Sequence, residues 1–226
     1  MLQGFLIRQE EKNSRYFCRM TGIKNIIFDL GGVVLDIDFA LTNKAFEELG
    51  LKGFSNHINQ HHITPLFEDY ETGKINDAAF IKGVQELSGL PLTETQIIKA
   101  WNALLLEFLP ARVEFLEKLK TKYRLFLLSN TNALHLCEFN ERLKKMSGLY
   151  LEDIFEKTYY SHAVGLRKPH AEIYRLVIEE NGLIPSETLF IDDTASNFSG
   201  AEEVGLKLLH LKPPMTILDL PVEVDG

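Results

Sequence analysis

The chain has 226 residues, of which 45% are hydrophobic and 25% charged, and its formal net charge at pH 7 is −8. This composition is ordinary for a globular protein, and the length accommodates one large domain or a core with an inserted cap. The negative charge argues against general binding to nucleic acid or to anionic membranes. An anionic ligand would therefore need a locally positive pocket.

Cysteine usage and the lack of targeting features favour a cytoplasmic protein. Cys18 and Cys137 are far apart and lack the spacing of a metal site, so we expect reduced thiols. No apolar run approaches the roughly 18 residues that cross a bilayer. Residues 1–19 lack the hydrophobic region and cleavage site of a signal peptide, and we expect them to form a loosely held N-terminal extension.

The first predicted element is a buried strand that ends at Asp29. The apolar run Ile26-Ile27-Phe28 leads to this carboxylate, and Gly31-Gly32 follow two residues later. Ligands of parallel α/β sheets bind beyond the carboxyl ends of the strands, and glycines let the backbone approach a ligand closely. Taken alone, Asp29 has a second interpretation, as an aspartate that only ends a strand or caps a turn. The alternating residues 33–38 indicate a short extended flap.

Helical patterns without a strand signal fill residues 39–109. Three helices are predicted from capping residues and stop signals: residues 39–49, residues 76–87, and a helix that follows the capping box of Thr93 and Gln96 and runs through Trp101 and Leu105 to end before Pro110. These patterns predict an all-helical insert.

From residue 111 onward, helical and strand patterns alternate. The strands are expected at residues 124–128, 188–191 and 207–210, with helices at 113–120, 133–145 and 171–181. Such alternation predicts a parallel sheet covered by helices on both faces. The predicted fold class is therefore α/β, a doubly wound, Rossmann-like parallel sheet formed by residues 20–38 and 110–226, with the all-helical cap at residues 39–109. A single continuous α/β domain is the alternative.

Polar residues also follow the later strands. Asp192 and Asp193 come directly after an apolar strand, and two adjacent carboxylates repel each other unless a cation compensates them, which indicates a metal site. Ser129, which ends another strand, either caps the next helix or binds a phosphate together with backbone N–H groups. Lys168 lies in a loop stiffened by a proline and would supply a fixed positive charge, whereas Arg167 is expected to be exposed.

Together these segments resemble the haloacid dehalogenase (HAD) superfamily. Its four motifs are similar, in order, to Asp29 with its glycines, Leu-Ser-Asn-Thr at residues 128–131, Gly-Leu-Arg-Lys-Pro at 165–169 and Ile-Asp-Asp at 191–193. The resemblance runs from about residue 23 to residue 211. The motif variants, and a cap segment at residues 67–75, are most similar to bacterial α-D-glucose-1-phosphate phosphatases and to the phosphatase domain of soluble epoxide hydrolases.

This resemblance implies an Mg²⁺-dependent phosphatase that acts on a small phosphomonoester, such as the sugar phosphate glucose 1-phosphate. Asp29 would be the nucleophile and would form an aspartyl-phosphate. The implied metal ligands are Asp29, the backbone carbonyl of Gly31 and Asp193. Asp192 would either support the site from behind or pair with Lys168. The implied substrate-binding groups are Ser129, the amide of Asn130 and Lys168. We expect a monomer or a homodimer.

One residue departs from the HAD phosphatase pattern. Most phosphatases of the superfamily carry a second aspartate, an acid/base, where this chain has Gly31, although the glucose-1-phosphate phosphatases that it resembles share the glycine. Our hypothesis is that Asp36, Asp38 or a cap residue partly replaces the acid. Two alternatives stay open: a metal-independent 2-haloacid dehalogenase, which lacks the second aspartate but also lacks the acidic pair, and a non-catalytic phosphate-binding scaffold.

Two groups of cap side chains have more than one interpretation. The histidines at positions 57, 61 and 62 are expected to be solvated or to line the cap, because adjacent side chains point in different directions. Trp101 has the helical spacing of a cap core residue. Side chains that could still face the substrate are Phe67, Glu68, Tyr70 and Trp101.

Overall fold

The computed structural model describes residues 21–56, 58–59 and 62–220, without the side chains of residues 58–59 and 62–63. The extension predicted for residues 1–19, with Cys18, lies outside the described residues. So do His57, His61 and the side chain of His62. Cys137 is a free and exposed thiol, in agreement with the sequence-based expectation for that residue.

Five parallel strands form the central sheet, in the order β7-β6-β1-β8-β9. The strands are β1 Asn25–Phe28, β2 Leu35–Ile37, β3 Ile58–Asn59, β4 His62–Ile63, β5 Leu105–Phe108, β6 Arg124–Ser129, β7 Lys157–Tyr160, β8 Thr188–Asp192 and β9 Lys207–His210. Because β1 lies between β6 and β8 and all three are parallel, the loops that follow these strands meet at one edge of the sheet.

Helices cover both faces of the sheet and form most of the insert. They are α1 Phe39–Glu48, α2 Pro65–Glu71, α3 Asp77–Ser88, α4 Glu94–Trp101, α5 Pro110–Leu119, α6 Ala133–Ser147, α7 Leu151–Ile154, α8 Ser161–Val164, α9 Ala171–Asn181 and α10 Phe198–Glu203. The predicted α/β, doubly wound parallel fold with a helical cap is confirmed.

Alternating residues of the central strands pack into two separate hydrophobic clusters. Ile26 and Phe28 belong to one cluster, and Ile27 belongs to the other. The same alternation holds in β6 and β8, where Leu127 and Phe126, for example, belong to opposite clusters. Since both faces are covered, these strands are apolar at every position, which is why their sequence signal was strong.

The insert is helical except for short strands that the sequence did not indicate. The helix predicted to pass through Leu105 ends at Trp101, because Leu105–Phe108 forms strand β5 and pairs antiparallel with the flap strand β2. Strands β3 and β4 form a second antiparallel pair of two residues each. Pairing partners about 70 positions apart leave no local pattern, so the prediction extended the helix too far.

Strand β7 was also not predicted. Lys157–Tyr160 begins with an exposed lysine and has only two buried residues, so its four residues lack the apolar run that revealed the central strands. Its pairing with β6 places it at the edge of the sheet, where no other strand of the described residues pairs with its second side. Edge strands tolerate such polar composition.

A third hydrophobic cluster lies within the insert and centres on Trp101. Phe54, Phe67 and Phe80 surround the indole at ring-centroid distances of 5.0 to 6.4 Å. Phe67 and Tyr70 are buried in this cluster, as a cap core requires. The boundaries of the core and the cap stay a prediction. None of the described helices is long and apolar enough to cross a membrane.

Candidate active site

A cavity of about 370 Å³ opens beyond the carboxyl ends of β1, β6 and β8. Cavities of this size suit small ligands. All six site residues expected from the sequence line it: Asp29, Gly31, Ser129, Asn130, Lys168 and Asp193. The topology brings them together, because each follows or faces one of three neighbouring strands.

Lys168 lies between two carboxylates at the floor of the cavity. Its Nζ is 2.7 Å from Asp29 Oδ1 and 2.7 Å from Asp192 Oδ2. Its side chain is only 1% exposed, so neither the charge nor its partners are screened by bulk water. The N–H of Leu30 also donates to Asp29 Oδ1, at 2.7 Å. These contacts fix the rotation of the Asp29 carboxylate.

Asp192 has no exposure and is held by several donors. Thr194 N–H donates to its Oδ1 at 2.8 Å, and Asn197 Nδ2 lies within hydrogen-bond distance of both oxygens. Of the two roles that we considered, the geometry favours the pair with Lys168. Asp192 therefore positions the ammonium group toward Asp29.

Asp193 lies beside Asp29 and Gly32 and accepts a hydrogen bond from the Thr194 hydroxyl at 3.0 Å. Asp29, Asp192 and Asp193 each offer one carboxylate oxygen, and these three atoms lie within 4.8 Å of one another. Because Lys168 compensates only one of the three carboxylates, full ionisation of the cluster would leave two negative charges in excess. A cluster of hard oxygen donors with this charge fits Mg²⁺.

Burial and charge crowding perturb these groups. Burial, followed by repulsion from Asp192, raises the pKa of Asp29, and Lys168 opposes this shift. Burial and Asp192 also raise the pKa of Asp193. Burial lowers the pKa of Lys168, but the Asp192 and Asp29 carboxylates outweigh it, and the net direction is upward. Lys168 therefore remains an ammonium group, but its charge does not cancel the upward pKa shifts of Asp29 and Asp193.

The loop after β6 uses its polar side chains in distinct ways. Asn132, and not Ser129, caps helix α6, because its Oδ1 accepts from the N–H of His135. The carboxamide of Asn130 binds the backbone of Lys168 at both N–H and C=O, at 2.9 and 3.0 Å. No described residue hydrogen-bonds the Ser129 hydroxyl, which faces the cavity. A role of Asn130 in ligand binding therefore falls to its backbone N–H.

The two flap aspartates do not line the cavity, contrary to our hypothesis for the missing acid. Asp36 pairs with Arg112 at 2.7 Å, and Asp38 caps α1 by accepting from the N–H of Ala40. Their neighbours Leu35 and Ile37 face the cavity instead, since side chains alternate along a strand. Gly31 lines the cavity with no side chain of its own.

Much of the remaining cavity lining is apolar, and one ion pair also lies there. The apolar lining is Leu30, Leu35, Ile37, Phe39, Trp101, Leu104, Leu105 and Phe139. Glu71 at the end of α2 pairs with Arg167 at 3.2 Å, and the two side chains are 14% and 19% exposed. The expectation that Arg167 is exposed was therefore wrong. Burial raises the pKa of Glu71, and Arg167 opposes the shift.

Trp101 lines the cavity as well as forming the cap core, whereas Phe67, Glu68 and Tyr70 are not among the described lining residues. The His135 ring stacks on the Trp101 indole at a ring-centroid distance of 4.7 Å, and the indole N–H donates to Asn132 Oδ1 at 3.2 Å. The sequence did not single out His135 or Glu71. A glutamate directly before a Thr-Gly turn was the only local signal for the latter.

Several known proteins are similar to this chain. A D-ribitol-5-phosphate phosphatase from Bacteroides thetaiotaomicron is 35% identical over 185 residues, which cover 82% of this chain and 90% of the relative. A sesquiterpene phosphatase, AstK, from Aspergillus oryzae is 28% identical over 84% of this chain and 91% of the relative.

Among solved structures, a HAD family enzyme from Bacteroides thetaiotaomicron in complex with magnesium and inorganic phosphate superposes with a TM-score of 0.83. It is 33% identical, and the match covers 86% of this chain and 96% of that chain. The profile of haloacid dehalogenase-like hydrolases matches residues 23–205. The chain therefore belongs to the haloacid dehalogenase-like hydrolases.

Proposed function

We propose that this hydrolase is an Mg²⁺-dependent phosphatase that cleaves a small phosphomonoester of a sugar or a polyol. The observation that carries the proposal is a cluster of three carboxylates that each offer one oxygen within 4.8 Å of the others, two of which contact the ammonium group of Lys168. A divalent cation would balance the excess negative charge of this cluster, and the bound cation would in turn attract a phosphate dianion. The relative that hydrolyses D-ribitol 5-phosphate supports the polyol class, and glucose 1-phosphate stays a second candidate substrate.

The residues divide the chemistry as follows. An Asp29 oxygen attacks phosphorus, the bond between phosphorus and the ester oxygen breaks, and an aspartyl-phosphate forms on Asp29. Water then cleaves the aspartyl-phosphate, which releases inorganic phosphate and restores the carboxylate. Lys168, the Ser129 hydroxyl and the Asn130 backbone N–H hold the phosphoryl oxygens during both steps.

The metal site would consist of Asp29, the Gly31 carbonyl and Asp193. When bound, Mg²⁺ would supply positive charge to the phosphoryl oxygens. Asp192 remains paired with Lys168 and keeps the ammonium group directed toward Asp29. Because Gly31 carries no acid, the leaving alkoxide would take its proton from water or from another group near the ester oxygen.

Phosphate release from a panel of sugar phosphates, polyol phosphates and p-nitrophenyl phosphate tests the proposal. We expect activity that EDTA removes and Mg²⁺ restores, and no activity in Asp29→Asn. Mass spectrometry of acid-quenched wild-type protein should find one phosphoryl group on the peptide that contains Asp29. Asp219→Asn, at an exposed capping position far along the chain, serves as the matched control and should keep full activity.

Two results would contradict the proposal. Equal phosphate release by the wild type and Asp29→Asn would favour the non-catalytic scaffold. Halide release from 2-haloacids that persists in EDTA would favour the dehalogenase.

A further inference from the structure

We infer that the partly buried ion pair of Glu71 and Arg167 binds hydroxyl groups of the leaving group and thereby selects polyhydroxylated phosphate esters. This inference rests on the proposed function and names the subsite that would decide the substrate. Glu71 belongs to the insert and Arg167 to the loop that carries Lys168. Both line the same cavity as Asp29.

The pair is incompletely satisfied in the structure. A single contact of 3.2 Å joins Arg167 Nη2 to Glu71 Oε2. Arg167 Nη1 and Glu71 Oε1 have no hydrogen-bond partner among the described residues, and neither is among the fully buried polar atoms, so both are accessible to a ligand. A buried ion pair offsets its desolvation only when its remaining donors and acceptors are also satisfied. The unused donor and acceptor therefore point to a ligand that supplies both.

Hydroxyl groups match this requirement. Each hydroxyl donates one hydrogen bond and accepts others, so one hydroxyl can bind the carboxylate oxygen and another the guanidinium. The pair has no net charge, which disfavours a leaving group with a second phosphate or a carboxylate. Phe39, Trp101 and Leu104 of the insert also line the cavity and would contact the carbon chain.

The position of the pair fits groups near the scissile ester. Arg167 directly precedes Lys168, and adjacent Cα atoms are about 3.8 Å apart, so the subsite adjoins the phosphate site. The insert is held closely against helix α8, which directly precedes this loop, because a Cβ added at Gly73 would stand only 2.1 Å from the carbonyl oxygen of His162. Glu71, two residues earlier, is thus kept at the seam between insert and core.

Matched substrates separate hydroxyl recognition from the phosphate chemistry. Ribitol 5-phosphate and pentyl phosphate have the same five-carbon chain, but pentyl phosphate has no free hydroxyl. Both have poor alkoxide leaving groups, so a change in proton transfer would affect both. We propose to measure kcat/KM for both substrates in wild type, Glu71→Ala and Arg167→Ala. Glu71→Gln preserves volume, and Glu187→Gln removes a distant ion pair with Lys24 as control.

We expect Glu71→Ala and Arg167→Ala to lower kcat/KM for ribitol 5-phosphate by about tenfold or more. The effect should lie mainly in KM, and the value for pentyl phosphate should change by less than about twofold. Glu187→Gln should match the wild type on both substrates. Calorimetric binding of ribitol 5-phosphate to Asp29→Asn should weaken similarly when Glu71→Gln is added, which shows the effect without turnover.

An equal loss on both substrates, or equal wild-type use of both, would overturn the inference while leaving the proposed function intact. Failure of the wild type to release phosphate from any ester, including p-nitrophenyl phosphate, would overturn the proposed function and the inference with it. Melting temperatures of all variants identify any that fail to fold, and Glu71→Gln then decides the outcome.

Discussion

Replacing Gly32 with alanine should displace a proposed metal ligand. Gly32 has φ +72, and an added Cβ would stand 2.3 Å from Oδ2 and 2.6 Å from Cγ of Asp193. An ordinary contact needs about 3.5 Å, so the carboxylate would have to move by about 1 Å. Functional sites tolerate about 0.5 Å, and Mg²⁺ demands near-ideal octahedral geometry. We therefore expect Mg²⁺ affinity to fall by at least about tenfold, as for lesser perturbations of metal sites.

A control must distinguish the cost of alanine in a left-handed backbone conformation from the steric displacement of Asp193. Gly148 has φ +78, and an added Cβ there meets nothing within 4 Å. Alanine at either position should lower the free energy of unfolding by about 1–2 kcal/mol, because a left-handed conformation crowds the Cβ. Calorimetric titration with Mg²⁺ should nevertheless show an affinity loss only in Gly32→Ala. If the Mg²⁺ affinity of Gly32→Ala is within twofold of the wild-type value, either Asp193 is not a ligand or a backbone shift relieves the clash.

Three further substitutions test other parts of the site. Lys168→Met should abolish phosphate release. It should also lower the free energy of unfolding in urea by about 3–5 kcal/mol, since it leaves buried carboxylates unpaired. An unchanged free energy of unfolding would disprove the ion pairs of Lys168 with Asp29 and Asp192. Gly31→Asp should speed pentyl phosphate hydrolysis by about 10²-fold relative to p-nitrophenyl phosphate. The substitution should be tolerated, because the backbone at Gly31 is not left-handed and the added Cβ meets only the flexible tip of Ile37 at 2.9 Å. An equal change on both esters would argue against an acid role for the added carboxyl group. Burial lowers the pKa of His135 from 6.5 to about 4, so the unfolded chain takes up the proton first. The contribution of neutral His135 to the free energy of unfolding is complete above pH 6.5 and falls by about 3 kcal/mol as the pH decreases to about 4. In His135→Gln the free energy of unfolding should depend less on pH over this interval. A pH dependence identical to that of the wild type would refute the assignment.

The sequence was sufficient wherever a site residue follows an apolar strand. Asp29 and Asp192 could be placed because strands covered on both faces are apolar throughout, so a carboxylate marks where each strand ends. The strand order then follows from parallel pairing, which brings those ends to one edge. Residues whose role depends on a distant partner could not be placed in this way. Arg167 looked like a solvated loop charge because its partner, Glu71, lies 96 positions earlier.

Charge balance links these two groups of residues. Fully ionised, the floor of the cavity would carry two excess negative charges, whereas the Glu71–Arg167 pair on its wall has no net charge. Attraction for a cation and its phosphate is therefore concentrated at the floor, and the wall contributes selectivity through direction and hydrogen bonding. Affinity for the phosphate and choice of the leaving group thus reside in different residues, although Arg167 and Lys168 are neighbours in the chain. A substitution of Glu71 or Arg167 can for this reason change the preferred ester without removing the chemistry.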